Sequence, residues 1–211
     1  MKIKEAPLYI FDMDGTILDS MIEWEHLGRN YLQKKGIVPP DDLEDTIETM
    51  TMEESAQYFK DLGISLSCEE IMREMFQCME DAYRDTIPGK KEVVELIKKL
   101  HAAEGNKLCI LTTSDKMCAE NAMRRLGLLE CFSDIYTSEQ LGMGKRTGDI
   151  YQKVCELYGV QPEKVVVFED ALYAVSSAKE AGCYVYAVSD ACNQNQWEQI
   201  RELADENIEL K

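Results

Sequence analysis

The chain has 211 residues, 45% of them hydrophobic and 30% charged, as suits a soluble globular protein of one large domain or of a domain with a smaller one inserted. A formal net charge of −17 excludes a nucleic-acid backbone as partner, since phosphate binding needs clustered Lys and Arg, and no apolar run approaches the roughly 20 residues that span a bilayer. The same charge sets a condition on any anionic ligand: its site must bring its own cation, a metal or a well-placed lysine.

The N-terminal segment shows no signal-peptide pattern and runs directly into Leu8-Tyr9-Ile10-Phe11, an apolar run that reads as a buried strand. That run ends in Asp12, Asp14 and Asp19, carboxylates poorly placed beside a buried strand unless something compensates them. The stretch 20–86 holds helical patterns (MIEWEHLGRNYLQKKG, DLEDTIETM, MEESAQYFKDLG, CEEIMREMFQCMEDAYRD) and no convincing strand. It reads as a helical block inserted after the first strand, with Ile87-Pro88-Gly89 as the return hinge. Beyond it, helical segments at 89–105, 116–128, 149–160 and 174–183 alternate with apolar runs at 107–114, 164–170 and 184–190. Alternation of this kind signals a parallel sheet covered by helices. The expected architecture is α/β: a Rossmann-like parallel core of residues 1–18 and 87–211 carrying an α-helical cap domain of residues 19–86. Eight cysteines are scattered without a C-x-x-C pair, which points to free thiols in a reducing cytoplasm. A monomer is expected, the oligomeric state being otherwise open.

In open parallel sheets function collects at the carboxyl ends of the strands. Three of the expected strands end there in polar residues: Asp12, Thr112, and the pair Glu169-Asp170. Several carboxylates converging on one crevice repel one another unless a hard cation sits among them, and an oxygen-only ligand set favours Mg²⁺. A metal would also answer the charge problem of a phosphate substrate. Asp12 could then act as a nucleophile, Asp14 could handle protons, and Gly15 would permit the tight turn that brings backbone to the ligand. Thr112, Thr113 and Ser114 can serve phosphate binding, or can cap the helix expected at 116.

With these residues in view, FDMDGTILDS resembles the first motif, D-x-D-G-T, of the haloacid dehalogenase superfamily. Thr112 after KLCIL, Lys145 in GMGKRTGDIY and Glu169-Asp170 in VVVFEDA match its second, third and fourth motifs in order, and the helical block is similar to the cap of the β-phosphoglucomutase-like branch. The resemblance implies that Asp12 attacks phosphorus and binds Mg²⁺. Asp14 would protonate the leaving oxygen and then activate water, its backbone carbonyl also holding the metal. It implies further that Thr112 binds the phosphoryl group with Thr113 and Ser114 nearby, that Lys145 neutralises charge, and that Asp170 binds the metal directly and Glu169 directly or through water. Where the family reads G-K-P-x-P-D, this chain has GKRTGD: Arg146 and Gly148 replace two prolines, adding a cation and loosening the loop. Trp24 is placed at the substrate pocket or in ordinary cap packing.

Asp14 points to phosphate esters rather than to the dehalogenases and phosphonate hydrolases of the superfamily, which lack that second aspartate. Mutases of the β-phosphoglucomutase type carry a histidine and a cap arginine near the positions of Trp24 and Met52. The expectation is therefore a Mg²⁺-dependent phosphatase acting on a small phosphorylated metabolite through an aspartyl-phosphate. A phosphomutase, or a catalytically silent phosphate-binding module, is the alternative.

Overall fold

The runs LYIF, KLCILT, VVVFE and YVYAV are almost wholly buried, the pattern of strands covered on both faces. In the computed structural model, which describes residues 3–210, they become β1 (Leu8–Phe11), β2 (Lys107–Thr112), β4 (Val165–Glu169) and β5 (Tyr184–Val188). Two further strands, β3 (Asp134–Thr137) and β6 (Glu206–Ile208), complete a six-stranded parallel sheet in the order β3-β2-β1-β4-β5-β6. The sequence pattern misses β3 and β6 because they are edge strands of four and three residues, too short and too polar to show a period.

The chain divides between Ser20 and Met21 and again between Thr86 and Ile87. The inner unit is helical: α1 (Met21–Lys34), α2 (Leu43–Ile47), α3 (Met52–Asp61) and α4 (Cys68–Asp85). Capping boxes open α3 (Thr51 with Glu54) and α4 (Ser67 with Glu70), and α4 buries Ile71, Met75, Met79 and Tyr83, one stripe at a spacing of four. Arg29 grips Glu44 through two 2.5 Å hydrogen bonds.

In the sheet unit, α5 (Lys91–His101), α6 (Lys116–Arg125), α7 (Ser138–Leu141), α8 (Asp149–Tyr158), α9 (Leu172–Glu180) and α10 (Trp197–Leu203) follow. Ile10, Cys109, Val167 and Val185 lie side by side in register and pack with Val154, Val175 and Ile200 of α8, α9 and α10. On the next register row Phe11, Phe168 and Tyr186 stack, with ring centroids 4.3 and 5.2 Å apart. The chain leaves β1 toward β2 and β3, then crosses back to β4 on the other side. The carboxyl ends of β1 and β4 therefore flank the topological switch point, where open α/β sheets bind ligands. The eight cysteines are free, and among the described residues no helix is long and apolar enough to cross a membrane.

Candidate active site

Asp12 follows β1 directly, and its backbone N–H donates to the Phe168 carbonyl at 3.0 Å, which holds it against the end of β4. The next residues fold back at once: Ile17 and Leu18 both donate to the Met13 carbonyl, and Gly15 donates to Leu18, each at 2.9 Å. Gly15 sits at φ +80°, and a Cβ there would overlap the Asp170 carboxylate, its Cγ only 2.7 Å away. Only glycine meets both conditions, so Gly15 brings the first loop against the β4 carboxylates.

Three buried carboxylates, Asp12, Glu169 and Asp170, each offer an oxygen within 4.8 Å of the others. Lys145, 3% exposed, ties two of them, donating to Asp12 Oδ1 at 2.5 Å and to Glu169 Oε1 at 2.8 Å. Tyr151 also donates to Glu169 Oε1, at 3.3 Å, while Glu169 Oε2 accepts from the backbone N–H groups of Asp170 (2.9 Å) and Ala171 (3.2 Å). All four acceptor sites of Glu169 are thereby occupied. Asp170 is held less completely, by Thr16 at Oδ1 (3.0 Å) and by Asn193 at Oδ2 (2.6 Å). Asp12 Oδ2 has no hydrogen-bond partner among the described residues.

The electrostatics follow from this arrangement. Burial pushes the Asp12 carboxyl up to about 7 against the pull of Lys145, with Glu169 and Asp14 adding to the rise. Burial, then Glu169 and Asp12, hold Asp170 well above the usual carboxylate range. Burial works against the Lys145 ammonium, but Asp12 and Glu169 outweigh it and raise its pKa well above that of a free lysine. Three carboxylates and one ammonium sum to −2 when ionised (−3 + 1), the charge one divalent cation cancels. An all-oxygen donor set with unused acceptor sites on Asp12 and Asp170 fits such an ion.

Asp14 lies at the edge of the cluster, with Oδ1 accepting from the Ser20 hydroxyl and Oδ2 from the Ser114 hydroxyl, both at 2.6 Å. Thr112 is fully buried at the end of β2; its Oγ1 accepts from the Ser114 N–H at 3.0 Å and keeps its own proton to donate. Thr113 is exposed. The helix that follows is capped by Asp115, which accepts from Met117 and Cys118, and not by the hydroxyls before it. In the Lys145 loop, the Arg146 guanidinium lies 5.1 Å from the centroid of the Tyr173 ring, and a Cβ on Gly148 would come within 3.0 Å of the Ala181 nitrogen. The glycine there admits a close approach to α9. Asp19 is exposed, and its backbone donates to Pro88 at 2.9 Å. Trp24 belongs to the helical unit, where its indole N–H donates to the Tyr83 hydroxyl at 3.0 Å.

Thr16, Ser20, Lys90, Tyr151, Asp190 and Asn193 also bond within or beside the cluster, and none of them stands out in the sequence as a site residue. Thr16, Ser20 and Tyr151 fall inside stretches that carry the motifs, so proximity alone was a usable signal. Asn193 stands in the polar run CNQNQ, which has the composition of any surface turn.

The family model for haloacid dehalogenase-like hydrolases matches residues 9–188. The chain is 30% identical over 189 residues to the phosphorylated carbohydrates phosphatase of Thermotoga maritima, covering 87% of this chain and 86% of that protein. It is 29% identical over 184 residues to hexitol phosphatase A of Escherichia coli, covering 86% and 82%. The crystal structure of a candidate β-phosphoglucomutase from Thermotoga maritima superposes with a TM-score of 0.78 at 27% identity, covering 96% of this chain and 94% of that one.

Proposed function

The chain belongs to the haloacid dehalogenase-like hydrolases, and from that membership we propose that it is a Mg²⁺-dependent phosphatase, hydrolysing a small phosphate monoester through an aspartyl-phosphate on Asp12. The observation that carries this reading is the state of Asp12: one oxygen is anchored by Lys145, the other has no hydrogen-bond partner among the described residues, and the carboxylate stands at a strand end in a cluster with Glu169 and Asp170.

In the first half-reaction Asp12 Oδ2 attacks phosphorus, and Asp14 gives its proton to the departing ester oxygen. In the second, Asp14 takes a proton from the water that attacks the aspartyl-phosphate. Ser20 and Ser114 orient Asp14 for both steps through their hydroxyls, a role for Ser114 that its hydrogen bond to Asp14 supports. The Thr112 hydroxyl donates to a phosphoryl oxygen, Thr113 lies beside it, and Lys145 offsets the charge that gathers on Asp12 and the phosphoryl group. Asp12, Asp170 and the backbone carbonyl of Asp14 would hold the metal directly, with Glu169 reaching it through water because its own acceptor sites are filled. Mg²⁺ supplies positive charge at the phosphoryl oxygens when bound. The relatives that act on phosphorylated carbohydrates and hexitol phosphates support a sugar phosphate or similar metabolite as substrate.

The test is a panel of sugar phosphates, polyol phosphates and nucleotides, with an aryl phosphate as generic substrate, assayed for released phosphate with Mg²⁺ and with excess chelator. Phosphate release that vanishes with chelator and returns with Mg²⁺ is the expected result. Conversion of a sugar phosphate to an isomer without phosphate release would make the protein a mutase, and full turnover after metal stripping would overturn the metal site.

A further inference from the structure

Asn193 stands just beyond β5, on a turn that carries none of the residues assigned to the reaction. Its side-chain amide nevertheless reaches the cluster, donating to Asp170 Oδ2 at 2.6 Å and to the Asp170 backbone carbonyl at 3.2 Å. Thr16 donates to the opposite oxygen at 3.0 Å, so the plane of the Asp170 carboxylate is fixed from both sides. The turn is itself anchored. Asp190 Oδ1 accepts from the Cys192 N–H at 2.9 Å, and Asp190 Oδ2 accepts from Lys90 at 2.7 Å. The Lys90 ammonium also donates to the Ser189 carbonyl at 2.9 Å and to the Gly15 carbonyl. Both side chains of the pair are buried, at 7% and 1% exposure. A buried ion pair is a poor source of net stability, because desolvation offsets most of its attraction. What this one does is geometric: it joins the turn bearing Asn193 to the loop bearing Asp12, Asp14 and Gly15.

We propose that Asn193 is a positioning residue for the metal site, holding the Asp170 carboxylate in the orientation that a divalent cation requires, with Lys90 and Asp190 holding Asn193 in place. The proposal rests on the metal-dependent reading of the site given above. A neutral amide suits the task. It fixes a carboxylate oxygen as a lysine would, yet adds no positive charge to compete with the cation. Outer partners of metal-binding carboxylates act through orientation, and losing one typically weakens metal binding by 10–100-fold.

The experiment is calorimetric titration of the full-length, metal-free protein with Mg²⁺ alone, together with its thermal unfolding and, separately, kcat at saturating Mg²⁺. Asn193→Ala and the near-isosteric Asn193→Leu are compared with Gln194→Ala, which removes a 3.0 Å bond from Gln194 to the Asp190 carbonyl without touching Asp170. Both Asn193 variants are expected to raise the Mg²⁺ Kd by about 10–100-fold, keep a near-native metal-free Tm, and recover kcat to within about threefold at saturating Mg²⁺. Gln194→Ala is expected to leave the Kd within about twofold. A native Kd in both Asn193 variants, or an equal loss in Gln194→Ala, overturns the role of the amide while leaving the metal site intact. Absence of Mg²⁺ binding by the wild-type protein overturns the metal site and this role with it.

Discussion

Asp14→Asn separates proton transfer from every other contribution of the first loop. The Asp14 carboxylate sits between two hydroxyls, Ser20 and Ser114, at 2.6 Å each. An amide in the same place keeps one acceptor oxygen, and the hydroxyl facing its NH₂ turns to accept, so the fold should lose no more than about 1 kcal/mol. What disappears is general acid–base catalysis, typically 10²–10⁴-fold, or about 3–5 kcal/mol at roughly 1.36 kcal/mol per tenfold. That loss falls unequally on substrates. An alkyl phosphate needs the proton for its leaving group and should be slowed in the first step. An aryl phosphate expels a phenolate with little assistance, so Asp12 should still be phosphorylated. Hydrolysis of the intermediate needs a base in either case, and the phosphorylated form of Asp14→Asn should accumulate. Intact-protein mass spectrometry after acid quench, with aryl phosphate and Mg²⁺, should show one added phosphoryl group on Asp14→Asn and none on Asp12→Asn. A label on Asp12→Asn, or wild-type turnover by both variants, would refute the division of roles.

Lys145→Met removes the one cation bonded to Asp12 and Glu169 among the described residues and takes the ionised cluster from −2 to −3 (−2 − 1). The metal-free protein should lose about 3–5 kcal/mol in chemical denaturation, part of it regained with Mg²⁺, and a variant with native activity would contradict the site. Gly15→Ala forces an alanine to φ +80° and drives its Cβ into the Asp170 carboxylate. Stability should fall by about 1–3 kcal/mol and Mg²⁺ affinity should fall with it, so an unchanged Mg²⁺ Kd would show that Asp170 is not displaced. In the helical unit, Arg29 bonds Glu44 and holds its carboxyl down at about 2. A depressed pKa stabilises the fold above the ordinary carboxylate value of roughly 4.3 and ceases to do so as pH falls through about 2. The pair is partly exposed, so Arg29→Ala should cost no more than about 1 kcal/mol at pH 7, and denaturation curves should converge with wild type at the acid end; a gap constant with pH would assign the loss to packing.

Local features were legible in consecutive residues. Apolar runs flanked by polar residues marked the four central strands, and the polar ends of three of them marked where a site could form, because burial and polarity are written into consecutive residues. The helical character of 21–85 was legible for the same reason: α4 carries its stripe at 71, 75, 79 and 83 within one continuous stretch. Edge strands β3 and β6 were not legible, since three or four half-polar residues have no period and become strands only when a neighbouring strand offers its backbone. The bonding within the site was decided by tertiary structure alone. Lys145 meets Asp12 across 133 residues of chain, Thr16 meets Asp170 across 154, and Lys90 meets Asp190 across 100. Whether a hydroxyl near a strand end serves substrate, helix or carboxylate depends on what the sheet order sets opposite it. The Ser114 hydroxyl goes to Asp14, the following helix takes Asp115 as its cap, and Glu169 has its acceptor sites filled by Lys145, Tyr151 and two backbone N–H groups. A hydrogen bond is directional and short, so its partner is fixed by placement to within a few tenths of an ångström, and residue type and spacing carry no information at that scale.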